Sequence, residues 1–237
     1  MNIPRRARTK VLWILTLLLL RVPWAVHAQD ITTGLLAYWA LDGNYTDSSV
    51  NGRTGTPAGS PVFQTSGNCK VGTCLVCDGV DDRFGFTSFS TTTTWSMTLW
   101  LYDAGTPVGI YGALLTDATG ANGVFLLSQK ITFYYSGVDH LNTTATTVNT
   151  WTHIGLVVNA GAVQWYLNGV ADGTATSAVA FTAAVVCNNT SSNTGLTGRV
   201  DEFRVFNRVL TQADVQAARD FTGAAAVVQR KRPLWLD

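Results

Sequence analysis

Asp201 and Glu202 stand side by side in LTGRVDEFRVFNRVLTQADVQAA, the run from Leu196 to Ala218, and Glu202 is the only glutamate among the 237 residues. Three kinds of chemistry use carboxylates placed like this: acid–base hydrolysis by a pair, metal ligation by one, or sheet electrostatics. Glycoside hydrolysis needs two carboxyl groups about 5–9.5 Å apart with the scissile bond between them, and neighbours on a strand point to opposite faces. Asp81 and Asp82 meet the same objection. No G-x-S-x-G elbow is present, and beyond position 28 only His140 and His153 remain to activate a serine or cysteine nucleophile. The expectation is therefore a protein that is not an enzyme, with a polysaccharide hydrolase as the third reading.

If 199–207 is a strand, Asp201, Phe203, Val205 and Asn207 share one face and Val200, Glu202, Arg204 and Phe206 the other. Phe203 and Val205 then enter a core, and Glu202 with Arg204 makes a partly exposed ion pair worth about 1 kcal/mol or less. Asp201 would begin a core-facing row, where an isolated charge is costly unless paired or metal-bound. Hard oxygen ligands of this kind suit calcium; the competing role is a side chain that caps turn amides at the sheet edge.

Such residues need a scaffold, and the pattern supplies strands. Short apolar runs separated by turn residues predict strands near 35–41, 75–78, 84–89, 96–102, 110–116, 123–127, 131–135, 152–158, 163–167, 184–187 and 199–207. Asp42-Gly43, Asn51-Gly52, Asp78-Gly79, Asn122-Gly123, Asn168-Gly169 and Asp172-Gly173 provide turns tolerant of positive φ. One helix is expected over 211–219, with Thr211 as N-cap and Asp214 near its positive end. Many strands with one apolar face each must bury it against a second sheet, so the fold class is all-β: a two-sheet antiparallel sandwich with one short C-terminal helix.

The first 28 residues combine Arg5, Arg6, Arg8 and Lys10, the apolar run 11–20, and Val26-His27-Ala28, the pattern of a secretory signal peptide cleaved after Ala28. The apolar run is well short of the ~20 residues that span a bilayer, so no membrane span is expected in the mature chain, and 29–221 forms the domain with 222–237 as a tail. The mature chain then carries 11 basic against 15 acidic residues, which argues against a nucleic-acid partner because phosphate binding needs a basic face. Cys69, Cys74, Cys77 and Cys187 all lie beyond position 28, and an even count in an exported chain favours disulfides. Sequence alone leaves three pairings. A strand that puts Leu75 and Cys77 on one face turns Cys74 to the other, favouring Cys69–Cys74 and leaving Cys77–Cys187.

Four stretches in fixed order, GLLAYWALDGNYTDSSVNGR (34–53), CKVGTCLVCDGVDDRFGF (69–86), WTHIGLVVNAGAVQWYLNGV (151–170) and GRVDEFRVFNRVLTQADVQAA (198–218), resemble the laminin-G-like domains of the concanavalin A-like lectin/glucanase superfamily. The resemblance implies a jelly roll of two curved sheets, often calcium-stabilised, that serves adhesion or carbohydrate binding. It makes Asp201 a calcium ligand with Asp42 at the end of the first strand, and Asp78 and the Gly79 carbonyl further ligands. The glucanases of that superfamily carry two glutamates on their catalytic strand, which this chain lacks. Trp151, His153, Val163, Trp165 and Leu167 read as core residues, and of Tyr38 and Trp39 one must lie outside the core. Tyr102, Asp103, Tyr111, Tyr134 and Tyr135 are the surface candidates for a ligand, and of the consecutive pair Tyr134 and Tyr135 one faces the core. The functional expectation is an exported module, secreted or at the cell surface, that binds a glycan or cell-surface polymer; the alternative is a structural or adhesion module with an extracellular protein partner.

Overall fold

A computed structural model describes residues 31–105, 109–176, 180–189 and 194–223; the expected signal peptide and residues 224–237 of the tail lie outside them. In chain order the strands are β1 (Leu35–Trp39), β2 (Thr56–Ala58), β3 (Val62–Gln64), β4 (Cys74–Asp78), β5 (Arg83–Ser90), β6 (Trp95–Asp103), β7 (Tyr111–Thr116), β8 (Gly123–Leu127), β9 (Lys130–Tyr135), β10 (Val138–Leu141), β11 (Trp151–Asn159), β12 (Ala162–Leu167), β13 (Val170–Ala175), β14 (Thr182–Val186) and β15 (Thr197–Phe206), followed by the helix α1 (Gln212–Arg219). Among the described residues they form an eight-stranded sheet, β13-β12-β11-β6-β15-β4-β3 with β1 also on β15, and a seven-stranded sheet, β10-β9-β8-β7-β14-β5-β2. Every pairing is antiparallel.

The inward rows of both sheets interdigitate. Trp39, Trp95, Met97, Leu99, Trp165, Phe203 and Val205 from the eight-stranded sheet meet Phe84, Val124, Leu126, Ile131 and Phe133 from the other. Removing a side chain of this size from water contributes about 1.5–3 kcal/mol, so the period-2 rows dictate the sandwich. Tyr38 is the member of its pair outside this core, lying on the outer face against Phe221. The helix starts at Thr211 with a reciprocal capping box to Asp214 and covers the outer face of the eight-stranded sheet through Val215, Leu210, Phe206 and Val157. It lies so close that a Cβ on Gly155 would meet Val215 at 2.8 Å.

Disulfides join Cys69 to Cys74 and Cys77 to Cys187. The second ties β4 of one sheet to the end of β14 in the other and closes a loop of 110 residues. Asn168-Gly169 forms the β12–β13 hairpin with both residues at positive φ, as a type I′ turn requires. Asp172-Gly173, expected as a turn, lies inside β13 instead.

β15 departs from simple alternation. Val200 and Phe203 both enter the core, so the strand takes two residues, Asp201 and Glu202, to complete one step. Pairing with β6 shifts register between Asp201 and Arg204, and Glu202 has φ 55°: this is a β-bulge. Its position follows from the partners of the strand, because β4 pairs with 197–200 and β1 with 203–206, leaving the other edge at 201–202 unpaired. Asp201 therefore does not begin a core-facing row. It faces outward beside Trp100, its cross-strand partner.

Candidate functional site

The outer face of the eight-stranded sheet holds the residues that alternation alone would separate. Asp201 Oδ2 accepts the amides of Lys70 and Val71, at 2.9 and 3.0 Å. Glu202 Oε2 accepts from the Tyr38 hydroxyl and the Arg204 guanidinium. Arg204 is itself stacked 4.0 Å from the Tyr38 ring and 4.5 Å from Phe221, and Lys70 sits 4.1 Å over Trp100. The Glu202–Arg204 pair, expected to be partly exposed, is 2 % exposed on both sides, because the bulge, the 68–73 loop and the segment after α1 close over it. Burial pushes the Asp201 carboxyl up to about 7, with Glu202 adding to the rise and the two amides opposing it. Burial also raises Glu202 and lowers His153, packed on Trp100, to about 3.

The 68–73 loop is the object these groups hold. Asn68 carbonyl accepts from Trp151 and Arg199, Asp42 Oδ1 accepts the Thr73 amide at 2.8 Å, and the Cys69–Cys74 bridge closes the base. Gly72, at φ 53°, leaves no room for a side chain: a Cβ there would stand 1.9 Å from Asp42 Oδ1. Asp201 and Asp42 thus share a loop, each giving one carboxylate oxygen to its amides, while Asp201 Oδ1 is buried without a hydrogen-bond partner among the described residues.

Asp78 lies elsewhere, with Asp81 and Asp82. Ligand atoms of these three fall within 4.8 Å of one another, and hard oxygens at this spacing suit calcium. Part of the set is committed: Asp78 Oδ1 accepts the Val80 amide, and Asp82 accepts Ser60 and Asp78 amides. The Gly79 carbonyl is turned against Gly195, where a Cβ would meet it at 2.0 Å.

The outer face of the seven-stranded sheet is different in kind. An open groove of about 760 Å³ crosses β2, β5 and β14 beside the β7–β8 hairpin, lined by Thr56, Phe86, Thr87, Ser88, Asp117 and Thr182 among others. Asp117 organises the hairpin, accepting from the Thr119 and Ala121 amides, the Thr119 hydroxyl and Asn122. On the far side of that hairpin lies a recess of about 180 Å³ bounded by Tyr111, Phe125, Tyr134, Gly120 and Thr194. Two of the expected surface tyrosines, Tyr111 and Tyr134, are therefore brought together, with ring centroids 5.6 Å apart. Tyr135 is the member of its pair that packs on the core. Tyr102 lies on the opposite sheet against Trp151 and Arg199, and Asp103 is buried, bonded to Thr146 and Gly105. The groove residues carried no motif in the sequence; the nearest signal is Asp117 followed by Thr119, an Asx-turn pattern.

The family model for the concanavalin A-like lectin/glucanases superfamily matches residues 78–216, more than half of the chain. The chain belongs to this superfamily. No curated protein matches it by sequence. Among solved structures, this superfamily member is similar to domain 4 of AbnA, a GH43 extracellular arabinanase from Geobacillus stearothermophilus in complex with arabinotriose, with 19% identity, TM-score 0.66, and coverage of 78% of this chain and 98% of that one. The binding domain of Paraclostridial Mosquitocidal Protein 1 gives 13% identity and TM-score 0.65, covering 80% and 52%. Trypanosoma rangeli sialidase gives 12% and 0.57, covering 79% and 33%. The chain thus spans about half of the toxin domain and a third of the sialidase. At these identities the likeness is one of fold, and the jelly-roll sandwich is common to them.

Proposed function

We propose that this chain is an exported carbohydrate-binding module that holds a glycan or surface polymer on the outer face of its seven-stranded sheet. The observation that carries the reading is the groove itself: about 760 Å³, lined by threonine and serine hydroxyls with Phe86 and Asp117. Sugar sites combine aromatic or apolar faces with a few polar groups that fix orientation. An open groove of this size favours the reading over an adhesion module with a flat protein-binding face. Among the described residues Asp117 is the single carboxylate lining it, while glycoside hydrolysis calls for a pair, so binding without catalysis is the better account. A similar fold lends support, a domain of an arabinanase in complex with arabinotriose. The leader-like residues 1–28 and two disulfides support export, to the medium or the cell surface. A stabilising calcium has two candidate places, the Asp78, Asp81 and Asp82 cluster and the loop that Asp201 and Asp42 hold.

The test is binding of residues 29–237 to a panel of soluble glycans and insoluble polysaccharides, in calcium and in chelator. Saturable binding to at least one polysaccharide supports the reading, and a lower melting temperature in chelator supports the calcium. A folded protein that binds none of them would overturn it in favour of the adhesion module.

A further inference from the structure

We infer that the recess between Tyr111, Phe125 and Tyr134 is a second sugar subsite, separate from the groove, that takes one neutral sugar ring at a chain end or branch. This rests on the carbohydrate-binding reading and deepens it. The recess holds about 180 Å³, below the ~300 Å³ at which pockets for drug-sized ligands begin: room for one ring and not for a chain. The β7–β8 hairpin separates it from the groove, with Thr119 lining one and Gly120 the other. A polymer lying in the groove would reach the recess only with a terminal or branching residue.

Its chemistry selects the ligand. Tyr111 and Tyr134 offer ring surface for the C–H face of a sugar, with Phe125 buried behind them, and the three brace one another at centroid distances of 5.4 to 6.2 Å, so they are held in place before a ligand arrives. The Tyr134 hydroxyl makes no hydrogen bond to any described residue. Beside it, Asp139 is the cross-strand partner of Tyr134 on the same face, and its two oxygens are fixed by the hydroxyls of Thr132 and Tyr111 at 3.0 and 2.8 Å. Asp139 is not itself in the recess wall, but it places a negative charge against the Tyr111 side chain that is. Among the described residues no lysine or arginine lines the recess or the groove, and Asp139 forms no ion pair with any of them. Negative charge without a cation favours neutral sugars and repels uronates. Gly120 completes the wall, because a side chain there would collide with Asn189, 1.7 Å from its Cβ position.

The experiment is titration of residues 29–237 with the methyl glycosides of glucose, galactose, mannose and N-acetylglucosamine, and with methyl glucuronide, read by backbone amide shifts. At least one neutral glycoside should give saturable shifts at Gly120, Tyr134 and Thr194, and the glucuronide none. Tyr134→Ala should weaken that binding about tenfold, and Thr87→Ala, in the groove, should leave it unchanged. Should Tyr134→Ala fail to fold, Tyr134→Phe decides, with a loss of about threefold from the missing hydroxyl. Saturable shifts confined to the groove, equal binding of the glucuronide, or no glycoside shifts in a protein that still binds polysaccharide would overturn the recess and leave the module standing. No binding to polysaccharide or glycoside would overturn both.

Discussion

The outward faces of the two sheets are built from opposite materials. On the eight-stranded sheet the outward row carries Asp201, Glu202, Arg204, His153 and Trp100, and all of them are buried beneath α1, the 68–73 loop and Phe221. On the seven-stranded sheet the outward row carries hydroxyls and rings, and an open groove and recess lie over it. The charged cluster, which looks like chemistry in the sequence, is a fastening: Asp201 clamps loop amides, Glu202 pairs with Arg204, and the bonds they make are intramolecular. The open face, with Asp117 and Asp139 on it, keeps threonine and serine hydroxyls and tyrosine ring surface available. In a sandwich whose core uses one face of each sheet, the chemistry of the other face decides which sheet is covered and which is free to bind.

Removing charge from the fastened face is the strongest way to break this contrast. Arg204→Met leaves Glu202 buried without its cation and should cost about 3–5 kcal/mol in denaturant unfolding, whereas Thr87→Ala on the open face should fall within about 0.5 kcal/mol. Replacing Cys77 and Cys187 together by alanine releases the covalent tie between the sheets, and a loss of about 2–5 kcal/mol is expected in the same assay. Acid should act on the fastened face through His153. Its folded pKa is near 3 against an ordinary 6.5, so between those values the unfolded chain binds the extra proton and stability falls as pH falls. His153→Phe should therefore lose less melting temperature than the parent between pH 6.5 and 4. Asp201 works in the other direction: raised from 3.8 to about 7, it favours the folded state at low pH and that contribution is lost as pH rises to 7, so it offsets the His153 effect and Asp201→Asn should lose more melting temperature than the parent between pH 6.5 and 4. The smallest effect on the fastened face is expected at the helix that covers it, where Thr211→Ala removes the cap for about 1 kcal/mol.

Central strands were legible in the sequence because burial imposes a period. β6, with Trp95, Met97, Leu99 and Leu101 inward, and β11, with Ile154, Leu156 and Val158, announce themselves by alternation. The strands absent from the sequence reading, β2, β3, β10 and β13, are the edges of the two sheets. Edge strands bury little and need no apolar row; β2 even contains Pro57, which an edge tolerates because it demands no amide from that residue. The bulge at Glu202 was equally hidden, since it arises from a change of partner along β15 that involves residues more than a hundred positions away. Tyr111 and Tyr134 could be named as candidates, but their meeting depends on the order β9-β8-β7, and the groove on β14 lying between β5 and β7. Local pattern carries neither.

The central claim, that the open face binds and the covered face fastens, is tested most directly by hydrogen–deuterium exchange of residues 29–237 with and without the polysaccharide that binds best in the panel. Added protection in β5, β14 and the 117–122 hairpin, with β11, β15 and α1 unchanged, is the predicted result. Protection that falls on α1 and the 68–73 loop instead would contradict the account.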